Sequence, residues 1–546
     1  GSMENIVASS AIHNTAYGST SLQDLTTGDY NTAYGSATLE TLTTGCRNTG
    51  LGYGALCSAT SACDNNAIGY GALFNLTTGV KNTAVGLGAG NATTTGGCNF
   101  FGGNAAGNKN TTGHSNVAIG RQAMGCNTTA AYNTVVGACA LYCNTSVGMA
   151  MEAFGFRALH SNTNGSCNLA IGFCSLYSNT HGCFNTASGY RALASNTTAN
   201  FNTAVGSWTL TANTTGHSNA AFGFKALASN TAGCYNTASG VYSLLNNTTG
   251  SANTSVGNNN LCANTTGSDN TGVGQSALRK NTTGHSNTGI GYHALCCNTT
   301  GCRNTAVGHV ALTKNATGCA NTAIGRQALA CNTTGNQNTA LGMITLLSNT
   351  TGTQNTASGY YSLYHNSTGN CNTAYGKNSL GKNTSGCYNT GLGHNAGLMN
   401  TTGCDNTAVG REAARATTTG HRNVSVGACS LYANTTGSNN TVIGFAAGKS
   451  NTTADINVFV GYRTGCTNTT GIYNSIIGGV AFCSSTTASY NASVGYATLL
   501  STTTGEGNIA MGTNALRANT TASNNTGLGY NTLNANTTGS HNVAVG

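Results

Sequence analysis

Cysteine is the residue type with the widest chemical reach in this chain of 546 residues, which holds 23 of them. Five pairs stand 17 residues apart: Cys46 and Cys63, Cys126 and Cys143, Cys302 and Cys319, Cys387 and Cys404, Cys466 and Cys483. Thiols can pair, ligate a metal or act as nucleophiles, so whatever repeats at this interval decides which of these is open to them. His285 precedes Cys302 by the same interval, and His285, Cys302 and Cys319 form the one column resembling a metal site. Zinc wants four tetrahedral ligands, and a straight column supplies three poorly, so no metal or cofactor is expected. Acid–base catalysis needs two groups within reach of each other. Acidic residues gather only near the start, at Asp24, Asp29 and Glu40, with no histidine or nucleophile joining them. Asp64, Asp269 and Asp405 are scattered, and the lone tryptophan, Trp208, reads as a surface residue. The expectation is a protein that is not an enzyme.

The interval belongs to an internal repeat. It is seen at Asn304-Thr-Ala-Val-Gly308-His-Val-Ala311-Leu312-Thr-Lys-Asn-Ala-Thr-Gly318-Cys-Ala, after which Asn321 begins the pattern again. Anchors run from Asn14 to Asn542, 32 in all, and each is Asn except Met151. Positions are counted from the anchor. Position 5 is always Gly, position 4 mostly aliphatic or aromatic, position 8 small, position 9 usually Leu, and positions 12 to 15 usually Asn-Thr-Thr-Gly. Asn304, Gly308, Ala311, Leu312 and Gly318 therefore define the repeat. All 23 cysteines fall in positions 7, 10, 11, 16 or 17, and eight share position 16.

Seventeen residues are too few for a helical hairpin and enough for one turn of a solenoid. The expected fold is all-β, a parallel β-solenoid (β-roll) with two short strands per coil. Asn-Thr-Ala-Val reads as the first strand, ended by a glycine that supplies positive φ or close backbone approach. Ala-Leu opens the second strand and Asn-Thr-Thr-Gly forms the return turn. Positions 4 and 9 are expected to fill a thin core, and stacked asparagines at positions 1 and 12 to form ladders. Coils with Gly at position 9 (Gly90, Gly107, Gly397, Gly448 and Gly465) should be locally thinner. Residues 1–13 read as a cloning scar, Gly1-Ser2-Met3, with an N-terminal edge. Residues 14–546 read as one continuous solenoid; at ~4.8 Å per coil, about 32 coils make a rod of roughly 150 Å. One register break falls at 146–151, where the anchor spacing from Asn133 to Met151 is 18. It is read as a bulge or as a partly deleted coil, since the residue types of Asn144–Gly148 recur at Asn253–Gly257.

In-register stacking brings same-column Cα atoms to ~4.8 Å, inside disulfide range, so the five cysteine pairs are candidate staples. A fibre assembled in a reducing compartment would instead carry free thiols. Asn-Thr-Thr is also a glycosylation sequon, as at Asn213, Asn264, Asn332 and Asn536. The same Asn recurs wherever a turn is needed, which favours the structural explanation.

The run Asn-Thr-Ala-Val-Gly-x-x-Ala, with matching stretches at Asn116–Ala123 and Asn508–Ala515, resembles the head repeats of trimeric autotransporter adhesins. It is also similar to repeat stretches of phage and viral tail-fibre-like proteins. The resemblance covers nearly the whole chain, although the family's repeat is shorter. It implies a left-handed β-roll and a homotrimer, placed extracellularly, on a cell surface or on a virion.

Composition bounds the rest. Charged residues are 6% against roughly 25% in ordinary globular proteins, and there is no proline. The net charge of +9 is spread thinly, so no nucleic-acid footprint is visible. No apolar run reaches the ~20 residues of a membrane helix, so no membrane insertion is expected. The leading expectation is a structural fibre or adhesin segment for surface attachment or display, associating with itself as a homotrimer or lateral filament and offering its surface to a host glycan or protein. The alternatives are an ice-binding solenoid, or a self-assembling filament protein without a specific ligand.

Overall fold

The computed structural model describes residues 11–145 and 149–546. The chain is an all-β parallel solenoid with 17-residue coils, and it divides into two compact units, 1–270 and 271–546. In the first unit strands β1 (Thr15–Tyr17) to β15 (Thr254–Val256) occur one per coil; in the second, β16 (Thr271–Val273) to β32 (Val543–Val545) do the same. Within each unit, successive strands pair in parallel and in strict register, as Thr305↔Thr322, Ala306↔Ala323 and Val307↔Ile324 between β18 (Thr305–Val307) and β19 (Thr322–Ile324).

Each coil has one three-residue strand where two were expected. Ala311-Leu312 lies in a run of turns because positions 7, 9 and 17 adopt left-handed backbone, as at Val310 (φ 50°), Leu312 (φ 50°) and Ala320 (φ 57°). A left-handed residue breaks extended geometry, yet these turns still bond coil to coil. Val310 donates to Tyr292 O at 2.9 Å, Leu312 to Ala328 O at 3.0 Å and Lys314 to Ala330 O at 3.0 Å. The left-handed conformation costs about 1–2 kcal/mol for a non-glycine residue. Full burial of a leucine contributes about 1.5–3 kcal/mol, which outweighs that cost at position 9.

The core differs from expectation in one column. Positions 1, 3, 8, 9, 12 and 15 are buried, as Asn304, Ala306, Ala311, Leu312, Asn315 and Gly318 show. Position 9 is in the core as expected, but position 4 is not: Ile290 is 39% and Ile324 42% exposed. The reason is parity. Side chains alternate along a strand, and once the anchor Asn and position 3 point inward, position 4 must point out.

Both asparagine ladders form. Asn321 donates its N–H (3.0 Å) and its Nδ2 (3.1 Å) to Asn304 Oδ1 one coil before. At position 12, Asn332 Nδ2 donates to Asn315 Oδ1 at 2.8 Å. The two ladders meet on the position-15 carbonyl: Gly318 O accepts Asn304 Nδ2 at 2.8 Å and Asn315 Nδ2 at 2.9 Å. Near the start the second ladder is replaced by hydrocarbon, with Leu25, Leu42, Ala59 and Leu76 fully buried at position 12.

Glycine serves different ends in different columns. At position 5, Gly308 has φ +135°, and a Cβ there would lie 2.6 Å from Gly325 O. At position 9, glycine occupies the left-handed site. Coils with Gly107 and Gly465 are not thinned, because Phe101 and Phe459 at position 3 fill the space: a Cβ on Gly107 would stand 2.3 Å from Phe101 Cε1. Around Gly397 the core is a cluster of small residues, Ala396, Ala408, Ala413 and Ala414, with the Leu380 side chain of the coil before 2.7 Å from where a Gly397 Cβ would stand.

Across the 18-residue interval the strands keep register, Thr134↔Glu152 through Val136↔Phe154. Thr145 O still accepts Thr128 N–H at 2.9 Å and Met149 O accepts Cys167 N–H at 3.1 Å, as in ordinary coils. The additional residue therefore falls between them; Ser146, Val147 and Gly148, like residues 1–10, lie outside the described residues. At Met151 the amide ladder loses one rung: Asn168 Nδ2 keeps its bond to Gly182 O at 2.7 Å, but along the column it meets Met151 Sδ at 3.8 Å in place of an amide oxygen.

Candidate functional surfaces

The strand sets the outer face. With position 3 inward, positions 2 and 4 face out, and position 6 emerges beyond the glycine column. Position 4 then presents an exposed apolar column: Leu51, Ile68 and Val85 in the first unit, Val273, Ile290 and Ile324 in the second. Position 6 adds exposed aromatics, Tyr53, Tyr70, Phe156, Phe173, Tyr190, Phe224, Tyr292, Tyr360, Phe445, Tyr462, Tyr496 and Tyr530. Position 2 supplies a half-buried row that is mostly threonine.

Many exposed aromatics stack on the next coil. Tyr53 and Tyr70 stand 5.2 Å apart, Phe173 and Tyr190 5.2 Å, Phe445 and Tyr462 5.7 Å, all near-parallel. Position 10 carries a sandwich of Tyr142, His160 and Tyr177, whose burial holds the His160 imidazole below its ordinary pKa. Trp208 is half-buried, 5.3 Å from the Tyr190 ring, with the Arg191 guanidinium 4.8 Å over its face.

All 23 cysteines are free thiols. Position 16, which looked variable, is a working column. Its side chain accepts the N–H of the preceding coil, from Cys46 to Cys63 Sγ at 3.2 Å, from Cys387 to Cys404 Sγ at 3.2 Å, and from Asn370 to Cys387 Sγ at 3.3 Å. Ser251, Asn336 and His421 do the same. The thiol then donates to the carbonyl two residues back, Cys387 to Ser385 O and Cys404 to Thr402 O, both at 3.5 Å. The signal was present in the sequence: the column is rich in short side chains that carry an acceptor.

The five pairs differ in what their sulfurs meet. Cys302 and Cys319 bring their Sγ atoms to 3.0 Å. The hydrogen bond to Cys319, with burial, holds the Cys302 thiol above its ordinary pKa. Cys126 Sγ instead accepts from Lys109 Nζ at 4.0 Å. Cys466 Sγ faces Cys483 O at 3.6 Å. Among the acidic residues, Asp64 meets Arg47 at 2.6 Å, whose hydrogen bond holds the Asp64 carboxyl below its ordinary pKa. Cys57 donates to Glu40 at 3.5 Å, and burial first and Glu40 second push that thiol up to about 11.

Among the described residues no group of three or more His, Cys, Asp or Glu side chains is arranged to hold a metal, so His285, Cys302 and Cys319 do not converge. No helix there is long and apolar enough to cross a membrane. The sequon asparagines Asn213 and Asn332 are fully buried in the position-12 ladder, whereas Asn536 in the last coil is partly exposed. No protein-family model matches the chain, and no curated protein matches it.

Proposed function

We propose that the chain is a structural fibre segment, an adhesin-like rod for attachment or display on a cell or virion surface, and that it associates side by side with copies of itself as a homotrimer. The observation that carries this reading is the exposed position-4 column. An ordinary soluble solenoid would place its largest aliphatic residues inside and polar ones outside. This one buries leucine at position 9 and alanine at position 3, yet in most coils also sets Val, Ile or Leu outside at position 4, which makes sense when another chain covers that face. The left-handed roll belongs to the same reading. Lys and Arg are dispersed and the working columns make hydrogen bonds along the axis, so catalysis, nucleic-acid binding and membrane insertion have no part in it. The attachment partner would be a host glycan or protein reached through positions 6, 7, 10, 11 and 17.

The test is the mass in solution by light scattering, with and without reductant. A particle of three chains whose mass is unchanged by reductant is expected. A stable monomer overturns the association.

A second reading rests on the same face. Rows of threonine at position 2 and of aliphatic residues at position 4 lie side by side on one parallel sheet, as a regular array for ice would require. Thermal hysteresis in dilute solution would favour it over a buried interface, and none is expected.

A further inference from the structure

Of the five cysteine pairs, Cys466–Cys483 has one member, Cys466, lining an open cleft. We infer that Cys466 is a reactive cysteine and Cys483 its resolving partner, together forming a dithiol site in the second unit that closes to a disulfide on reaction with a hydroperoxide. This inference is independent of the fibre reading. Cys466 and Cys483 share position 10 of successive coils, and the resting Cys466 thiol donates to Cys483 O at 3.6 Å, a long contact that ionisation releases. An open cleft of about 350 Å³ leads to Cys466, which is itself 6% exposed. Lys449 from the coil before, Arg463 from the same coil, Tyr462, Phe445 and Cys429 line it. No carboxylate lines the cleft; Cys429, at its far side, faces Glu412 at 3.7 Å.

The surroundings shift the two thiols in opposite directions. The Cys466 thiol is lowered to about 6, first by the hydrogen bond from Cys483 and then by Arg463, against the opposing effect of burial. Cys483 is raised, chiefly by that same hydrogen bond and by burial. Reactive cysteines occupy such electropositive, partly accessible settings, and sensor cysteines stand next to a resolving one. The Cys302–Cys319 pair makes the contrast. Its sulfurs are already 3.0 Å apart, but Cys302 is held above its ordinary pKa by the hydrogen bond to Cys319 and by burial. Proximity favours closure there, and ionisation favours attack at Cys466.

The chemistry balances. Cys466 thiolate attacks one peroxide oxygen and the O–O bond breaks, giving a sulfenic acid and a hydroxide that leaves as water. Cys483 loses its proton and attacks the sulfenic sulfur; the S–O bond breaks and a second water leaves. Two thiols and one hydrogen peroxide become one disulfide and two waters.

The test uses the full chain, reduced, desalted and exposed at neutral pH to less than one equivalent of hydrogen peroxide, followed by blocking of free thiols and peptide mapping by mass spectrometry. The first cross-link is expected between Cys466 and Cys483. In Cys483→Ser the product should be a Cys466 sulfenic acid that dimedone traps. At pH 6, Arg463→Gln should slow iodoacetamide labelling of Cys466 by about fivefold, as a rise of about one pKa unit implies, and Arg463→Lys should restore most of it. Prior oxidation of Cys302–Cys319, uniform oxidation of the thiols, or labelling of Cys466 indifferent to Arg463→Gln would each overturn the inference.

Discussion

At the residue scale the molecule is governed by groups that must satisfy both neighbours along the axis. Asn315 shows the cost of failing to. Its Nδ2 reaches Asn298 Oδ1 at 2.8 Å and Gly318 O at 2.9 Å, while its Oδ1 receives Asn332 Nδ2 at 2.8 Å. Asn315→Ala leaves buried partners on both sides unpaired, and a loss of about 2–3 kcal/mol is expected. Long arrays unfold locally, so the readout is hydrogen exchange, with protection lost in the coils around Asn304–Ala320 first. Glycines divide in the same way. Gly308→Ala puts a methyl 2.6 Å from a backbone oxygen one coil away, whereas Gly88, also left-handed at φ +63°, has nothing within 4 Å. Gly88→Ala should cost about 1–2 kcal/mol, the left-handed preference alone. Gly308→Ala should disrupt exchange protection in both adjoining coils.

At the scale of one coil, positions 3 and 9 share a single volume. Most coils fill it with Ala and Leu; around Phe101 it is filled by one ring, flanked by Gly90 and Gly107. Phe101→Ala should therefore cost about 3–5 kcal/mol. Gly107→Leu alone should also destabilise, because the new Cβ meets the Phe101 ring at 2.3 Å. The double variant restores the common Ala/Leu filling of that coil and should be more stable than either single one. A double-mutant cycle by denaturant titration checks this, and simple additivity would contradict a shared volume.

At the scale of the whole chain the question is what covers the outer face. Ile290, Val307 and Ile324 lie in one column on consecutive coils. Their side chains point away from the core, so Ile290→Lys, Val307→Lys and Ile324→Lys together should leave circular dichroism and exchange protection nearly unchanged. If the column is an interface, three buried unpaired charges should lower the association constant by at least a hundredfold, since each exceeds about 1 kcal/mol. Light scattering across a dilution series reads this directly; an unchanged mass would move the interface elsewhere.

Much of this was legible in the residues. The period, the asparagine ladders, the invariant glycine of position 5 and the burial of Leu312 follow from local constraints that each coil repeats, so a sequence can announce them. The inward face of the strand was legible too, had Asn304 been used to set the parity rather than the size of Val307. What the sequence left open depends on contacts between coils. Only the tertiary structure decided that Ala311-Leu312 turns through left-handed backbone, because that conformation is stable only when the next coil receives its N–H groups. Only it showed that Phe101 replaces a neighbour's leucine, and that position 16 bonds to the coil before. The same holds for the thiols. A spacing of 17 placed Cys302–Cys319 and Cys466–Cys483 alike in stacked columns. The cleft beside one of them, lined by Arg463 of the same coil and Lys449 of the coil before, made that pair of sulfurs unlike the other.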